Sequence, residues 1–383
     1  MIKSIDLFSG IGGITLGFHA AGITTIAAVD NDESCSQYFP INFPKVKYFN
    51  KDISTINPKE LLSKDENELT VIVGGPPCQG FSLIGLRDPN DPRSQLVFEF
   101  RRVVKSLRPK YFIMENVQGM LNASKGRYVE ELVRLFEKDG YNVAEPVVLN
   151  ACEYGVPQDR RRVFLFGTRK DLFHRLMPPE PTTISIREQE PSKQTTMFEN
   201  LRLCPSVRDA ISDLPEIDNY DFLEHEHELP YDKKPKSEYA KMMRGVGNFK
   251  GFFGTVREGW DPTICTNLKR TMHGQVLKKR FKETAPGKVV PVSRLFKLDW
   301  DGISNTIRAG TPRERGAYSS PRPVHPSALR CISVREGARL QGFPDHFLFH
   351  PTKWHGFRQI GNSVSPLLAK KIGENLIRID GLN

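Results

Sequence analysis

The chain has 383 residues, 38% of them hydrophobic and 26% charged, the balance of an ordinary globular protein with room for two domains, which excludes a disordered or fibrous chain. No apolar run approaches the roughly 18 residues needed to span a bilayer, and the first residues (Ile2, Ile5, Leu7, Phe8) already read as a strand, so neither a membrane role nor a signal peptide is expected. The net charge of +10 favours a polyanionic partner, and Cys35, Cys78, Cys152, Cys204, Cys265 and Cys331 lie too far apart for a CxxC zinc or redox pair, which places the chain in a reducing cytosol.

Taken in chain order, the first 170 residues alternate strand-like and helix-like segments. Strands are predicted at Ser4–Phe8, Thr24–Val29, Val71–Val73, Tyr111–Met114 and Val163–Phe166. Helices are predicted at Gly13–Ala21, Cys35–Phe39, Ser94–Leu107 and Tyr128–Lys138, the last stopped by Gly140. The pattern is that of an α/β domain with a mostly parallel sheet covered on both faces. Near Met177 the texture changes: Pro178, Pro179 and Pro181 mark a linker, and no βαβ rhythm remains up to about Pro326. A helical pattern returns in Pro366, Leu367, Leu368, Ile372, Leu376 and Ile377.

Four segments carry chemistry. After the first strand, Gly10, Gly12 and Gly13 allow a tight turn and close backbone approach by a ligand, and Asp30 stands about 20 residues on, where the second strand ends. Asp30 suits a ribose diol or a helix N-cap, a job that Asn31 or Asp32 fills equally well; the turn alone serves NAD, FAD or S-adenosylmethionine. In Val71-Ile-Val-Gly-Gly-Pro-Pro-Cys78 an apolar strand ends and a Pro-Pro pair presents a thiol at its carboxyl edge, where open α/β sheets bind ligands. Glu115 follows the strand at Tyr111. In Gln158-Asp-Arg160-Arg-Arg162, period-two alternation puts Gln158, Arg160 and Arg162 on one face, and a cationic pair beside Cys78 favours its thiolate.

The blocks DLFSGIGG (6–13), GGPPCQGFS (74–82), ENV (115–117), QDRRR (158–162), SVREGARLQGFPD (333–345) and GNSVSP (361–366) resemble, in wording, order and spacing, the cytosine-C5 DNA methyltransferases of the bacterial restriction–modification type. Ser365 departs from the pattern, standing where the family often has proline. The resemblance implies a Rossmann-like S-adenosylmethionine-dependent methyltransferase domain (1–181 plus 354–383) and a smaller, irregular target-recognition domain with a hinge (182–353). It implies catalysis by Cys78, whose thiolate adds to C6 of cytosine, with Glu115 on the N3/N4 edge and Arg160 and Arg162 on the O2 and phosphate side. Phe8, Gly10, Gly12, Asp30, Asp52, Pro77, Leu96, Asn362 and Val364 are then expected at the cofactor, with Asp30 on the ribose and Asp52 on the adenine amino group. Phe81–Arg93 is expected to be a lid over a base flipped from the duplex.

The partner implied is double-stranded DNA, in a system that also holds a restriction endonuclease, with the enzyme acting as a monomer. Eight acidic residues and no Lys or Arg fall in Asp209–Glu228, whereas Tyr231–Lys282 holds thirteen Lys/Arg against four Asp/Glu, either a solvated face or a phosphate-contacting one. Gln79, Ser82, Arg257, Lys269, Arg270, Gln275, Lys278, Lys279 and Arg294 are the DNA-contact candidates. His225 and His227 read as solvated loop, and no metal is expected. Three rivals compete: a tRNA cytosine-C5 methyltransferase, which the long second region argues against; a nucleotide-cofactor oxidoreductase, which leaves Cys78 and Arg160 without a job; and a catalytically silent DNA-binding module, which the intact Cys78 and Glu115 argue against.

Overall fold

The structure, a computed structural model, describes residues 2–62, 69–77, 92–122, 126–187, 201–254, 256–310 and 322–383. It divides into two compact units, one of Met1–Asn150, Arg161–Glu180 and Ala369–Asn383, the other of Ala151–Arg160 and Pro181–Leu368. Residues 354–368, grouped with the first domain in the sequence, thus fall within the second compact unit. Among the described residues no helix is long and apolar enough to cross a membrane.

The first unit is built on an eight-stranded sheet in the order β3-β2-β1-β4-β5-β9-β6, with β7 also on β9. Its strands are β1 (Lys3–Leu7), β2 (Thr24–Asp30), β3 (Lys47–Asn50), β4 (Val71–Gly74), β5 (Tyr111–Val117), β6 (Tyr141–Val143), β7 (Val147–Asn150) and β9 (Arg161–Arg169), while β8 is the short Gln158–Asp159. From β3 to β5 all pairings are parallel; β9 runs antiparallel to β5, β6 and β7. The inner strands are apolar on both faces, and Ile5, Leu7, Ile72, Phe112 and Met114 are fully buried among Val97, Phe100, Val104 and Phe136 from the helices Pro92–Leu107 and Arg127–Lys138. That burial on two faces forces near-continuous apolar runs and makes these strands legible. The expected helix Cys35–Phe39 is instead two single turns, Glu33–Ser36 and Phe39–Asn42, because Asp32 caps the first and Pro40 starts the second. In the C-terminal stretch, Gly373 lies so close to the first helix that a Cβ would sit 2.9 Å from Ala21 Cβ.

The second unit has little regular structure and is held by buried ion pairs. Arg339, 0% exposed, donates to both carboxylate oxygens of Asp345 (2.6 and 2.7 Å) and to Asp213 (3.1 Å). Arg330 makes a two-point pair with Glu336 (2.8 and 2.9 Å), and Arg270 pairs with Glu224 and Asp221, each at 2.9 Å. Within the acidic stretch Asp209–Glu228, buried Asp213 and the more exposed Asp218, Asp221 and Glu224 pair with arginines of this unit. Glu336 also closes the capping box of the helix Val334–Gln341 through Ser333 and lies 3.6 Å from His325 Nε2.

Burial works against the Glu336 charge, but Arg330, His325 and the Ser333 N–H outweigh it and hold the carboxyl at about 2. Burial holds His325 at about 4. Both folded values lie below the unfolded ones, so their stabilisation is complete above about pH 6.5 and is lost as pH falls toward 2. Acid unfolding of the second unit is expected in that window. Glu336→Gln should remove the carboxylate share of this pH dependence and, by leaving Arg330 short of its buried partner, lower stability at pH 7 by about 3–5 kcal/mol, read by urea denaturation.

Candidate active site

Five parallel strands end along one edge of the first unit, and their last residues build the site. Beyond β1, Phe8 takes a left-handed conformation (φ +57°), uncommon for a residue with a side chain. Ser9 N–H donates to Val29 O at 3.1 Å, and Gly10 (φ +54°) and Gly12 (φ +96°) turn the chain into the helix Gly13–Ala21. The two glycines do different work. A Cβ on Gly12 would lie 2.4 Å from the Phe43 ring, whereas one on Gly10 would meet nothing within 4 Å. Gly12 is bare for packing, and Gly10 faces open space.

Asp30, the last residue of β2, accepts the Gly10 N–H on Oδ2 (2.7 Å) and the Asp32 N–H on Oδ1 (2.8 Å). Burial raises its pKa against these hydrogen bonds and one from the Asn31 backbone, and the carboxylate keeps acceptor capacity for a further donor. The cap role belongs to Asp32, which accepts from Ser34 N–H. Deeper in, Asp6 is 1% exposed; burial pushes it up to about 7 although Thr15 Oγ1 donates to Oδ2 at 2.7 Å. Asp6 Oδ1 and Ser9 Oγ are buried polar atoms without a hydrogen-bond partner among the described residues. Asn50 pairs with Asp30 in register, and Asp52, two residues on, is exposed and caps a single turn through Ser54 N–H (2.9 Å). Leu96 packs, half-buried, on the core of this unit.

The neighbouring strand ends are tied more tightly. A Cβ on Gly74 would lie 2.2 Å from Leu7 O, and one on Gly75 would lie 2.7 Å from Glu115 Oε2. Buried Asn116 donates to Pro76 O at 3.0 Å, fixing the chain up to exposed Pro77. Cys78, Gln79, Ser82 and the stretch Phe81–Asp91 lie outside the described residues, and Pro92–Arg93, expected in the lid, already belong to a helix. Glu115 is ion-paired to Arg162, Nε to Oε1 at 3.0 Å, with both side chains at least 85% buried. The antiparallel β5–β9 register sets Arg162 opposite Val117, two residues from Glu115 and so on the same face.

Arg160 is held by backbone carbonyls of the second unit. It is 2% exposed, and within the second unit its Nη1 donates to Ile307 O (3.0 Å) and its Nη2 to Gly361 O (2.7 Å) and Ser363 O (2.9 Å). Gln158 joins the same clamp, donating to Gln341 Oε1 (2.8 Å) and accepting from Ile307 N–H (3.0 Å). These bonds fix the backbone around Asn362, which is exposed, and Val364, which is 6% exposed. Two expected DNA contacts are likewise turned inward: Arg270 as described, and Arg257, whose Nε donates to His346 O at 2.9 Å. Gln275, Lys279 and Arg294 are exposed, and Lys269 and Lys278 half-buried.

The model of the C-5 cytosine-specific DNA methylases matches residues 2–378. The chain belongs to that family. Among proteins of known kind, this methylase is 43% identical to the Type II methyltransferase M.XorII of Xanthomonas oryzae pv. oryzae, over 98% of this chain and 84% of that one. It is 33% identical to the Type II methyltransferase M.AgeI of Thalassovita gelatinovora, over 98% and 99%. Among solved structures, a prophage-encoded DNA modification methyltransferase (E. coli) matches over the whole of both chains with a TM-score of 0.76 and 30% identity. The S. pombe Dnmt2 methyltransferase, 18% identical with a TM-score of 0.60 over the whole of both chains, shares the fold.

The methylase reaction consumes a methyl donor, and the glycine turn offers a direct check on where that donor lies. Gly12→Ala should destabilise the first unit by about 1–3 kcal/mol through overpacking against Phe43, with left-handed strain added. Gly10→Ala should cost only the strain, about 1–2 kcal/mol, yet place a methyl group in the open space. Urea midpoints beside donor titrations check this: donor affinity should fall more for Gly10→Ala than for a control of equal stability loss.

Proposed function

We propose that the first unit binds S-adenosylmethionine at the glycine turn and methylates C5 of a cytosine extruded from duplex DNA, with Cys78 as nucleophile. The observation that carries this reading is the fate of the six cysteines. Cys35, Cys152, Cys204, Cys265 and Cys331 are all buried, and burial pushes the thiols of Cys152 and Cys265 up to about 12 and that of Cys331 to about 11. None of these suits a thiolate role. Cys78 alone follows a strand end whose neighbours are the Glu115–Arg162 pair.

The residues at the turn fit this donor. Gly10 leaves a cradle that a side chain would fill, Asp30 has lone pairs for a ribose diol, and Asp6 Oδ1 and Ser9 Oγ are buried polar atoms awaiting partners. S-adenosylmethionine supplies a methyl group on a positively charged sulfur. Asp52 is read as the acceptor of the adenine amino group, with Phe8, Pro77 and Leu96 as apolar walls.

For the base, the Cys78 thiolate forms an S–C6 bond and turns the poorly nucleophilic C5 into an enamine carbon. Glu115 accepts from the N4 amino group and supports protonation at N3, and Arg162, held by Glu115, presents its remaining N–H groups to O2. Loss of the C5 proton and cleavage of the S–C6 bond then free the product and restore the thiolate. Arg160 fixes the Gly361–Ser363 backbone within the second unit. The second unit is read as the target-recognition part, and the protein as a monomer paired in the cell with a restriction endonuclease that it guards against.

Duplex DNA carrying 5-fluorocytosine at the target should trap a covalent adduct, since fluorine cannot leave as the proton does. Cys78→Ser should form no adduct while its donor affinity stays unchanged; an adduct with that variant overturns the assignment. Asp30→Ala should weaken donor binding by about 1.5–3 kcal/mol, the worth of hydrogen bonds to a charged group, as read by calorimetry, with DNA binding in its absence unaltered.

A further inference from the structure

In the second unit, positive charge collects at one place where three segments meet. Lys353 opens the helix Lys353–Asn362, and its Nζ donates to Arg270 O at 2.6 Å, which draws Lys269 alongside. One turn further along the same helix face, the Arg322 guanidinium lies over the Phe357 ring, 5.0 Å from its centre. His273, which accepts the Cys331 N–H at 3.1 Å, feels Lys353, Arg322 and Lys278 as neighbouring charges. Arg270 is neutralised by Asp221 and Glu224, but no carboxylate forms an ion pair with Lys269 or Lys353 among the described residues. Asp213, Asp218, Asp221 and Glu224 of the acidic stretch are paired with arginines. Like charges gathered in this way repel one another, an effect that Glu224 offsets only in part, and an anion from outside would relieve it.

We propose that Lys269 and Lys353, flanked by Arg322 and Lys278, grip a backbone phosphate of the DNA. The proposal rests on the reading of the second unit as DNA-facing and names a place on it that the basic run Tyr231–Lys282 alone does not reveal. A linked effect follows. Burial, then Arg322 and Lys269, push Lys353 down to about 8, against smaller opposing effects of Cys331 and Glu224. A phosphate beside it favours the charged form, so binding takes up a proton above pH 8, and affinity falls as pH rises from 7 to 9.5. Of the other facing groups, burial and the neighbouring cations lower His273 from its ordinary value and burial pushes Cys331 up to about 11, both outside that range; Arg322, Lys269, Lys278 and Glu224 also face it.

Affinity for a duplex should be measured against salt at pH 7, and against pH at fixed salt, for the full chain, Lys269→Gln, the double variant Lys269→Gln/Lys353→Gln, and Lys353→Arg. Each lysine lost should flatten the slope of log affinity against log salt by about 0.9, so about 1.8 for the pair. Lys353→Arg should keep the full salt slope but lose the fall in affinity between pH 7 and 9.5, which also serves if the double variant does not fold. A full-length slope in Lys269→Gln, or an undiminished pH dependence in Lys353→Arg, overturns the grip. Adduct formation by the unaltered protein on fluorinated DNA tests the cytosine chemistry separately, so the two failures are told apart.

Discussion

Gly75 has no side chain because the Glu115 carboxylate occupies the space where one would be, 2.7 Å from the Cβ position. Much of the site depends on that close approach. It lets the loop after β4 lie against the end of β5, where Asn116 holds Pro76 by its carbonyl. It also seats Glu115 where Arg162 reaches it from the antiparallel strand β9. The Arg162 guanidinium at 3.0 Å gives this largely buried carboxylate its partner. The strand order thus does chemical work, because an antiparallel β9 starts at the edge where its parallel neighbours end.

The two units are stabilised by different physics. In the first, apolar strands buried on both faces carry the fold, and polar groups gather at one edge. In the second, buried arginines organise a chain with few regular elements. Arg335, fully buried, donates to Pro344 O, Phe347 O and Thr266 O, where regular secondary structure would have satisfied those carbonyls. Such ionic cores are sensitive to loss of a single partner, and they consume carboxylates that would otherwise balance surface lysines. The positive charge presented outward is in this sense a product of how the interior is held.

Legibility in the sequence followed the same division. β1, β2, β4 and β5 announce themselves as apolar runs, and the glycine turn and Asp30 stand at a spacing that carries meaning. β3, of sequence Lys47-Tyr-Phe-Asn, is a polar edge strand with no run to notice, and β6 and β7 are short pieces recognisable only once β9 pairs with both. The Arg162–Glu115 contact depends on an antiparallel register that motif order does not reveal. Arg160 shares a face with Gln158 as its alternation implies, but its partners are backbone carbonyls about 150 to 200 residues away, which no side-chain pattern encodes. The inward turn of Arg270 had a visible signal: eight acidic residues without a single Lys or Arg stand just before the basic run, which is the complement that buried arginines require.

This chain should place a methyl group on carbon 5 of cytosine in DNA. Unmethylated plasmid incubated with the protein and labelled S-adenosylmethionine, then digested to nucleosides and separated by chromatography with mass detection, tests it most directly. The account predicts that the label appears in 5-methyldeoxycytidine alone, and only in fragments that share one short sequence. Label in N4-methyldeoxycytidine or N6-methyldeoxyadenosine, or label that enters tRNA and not DNA, would contradict it.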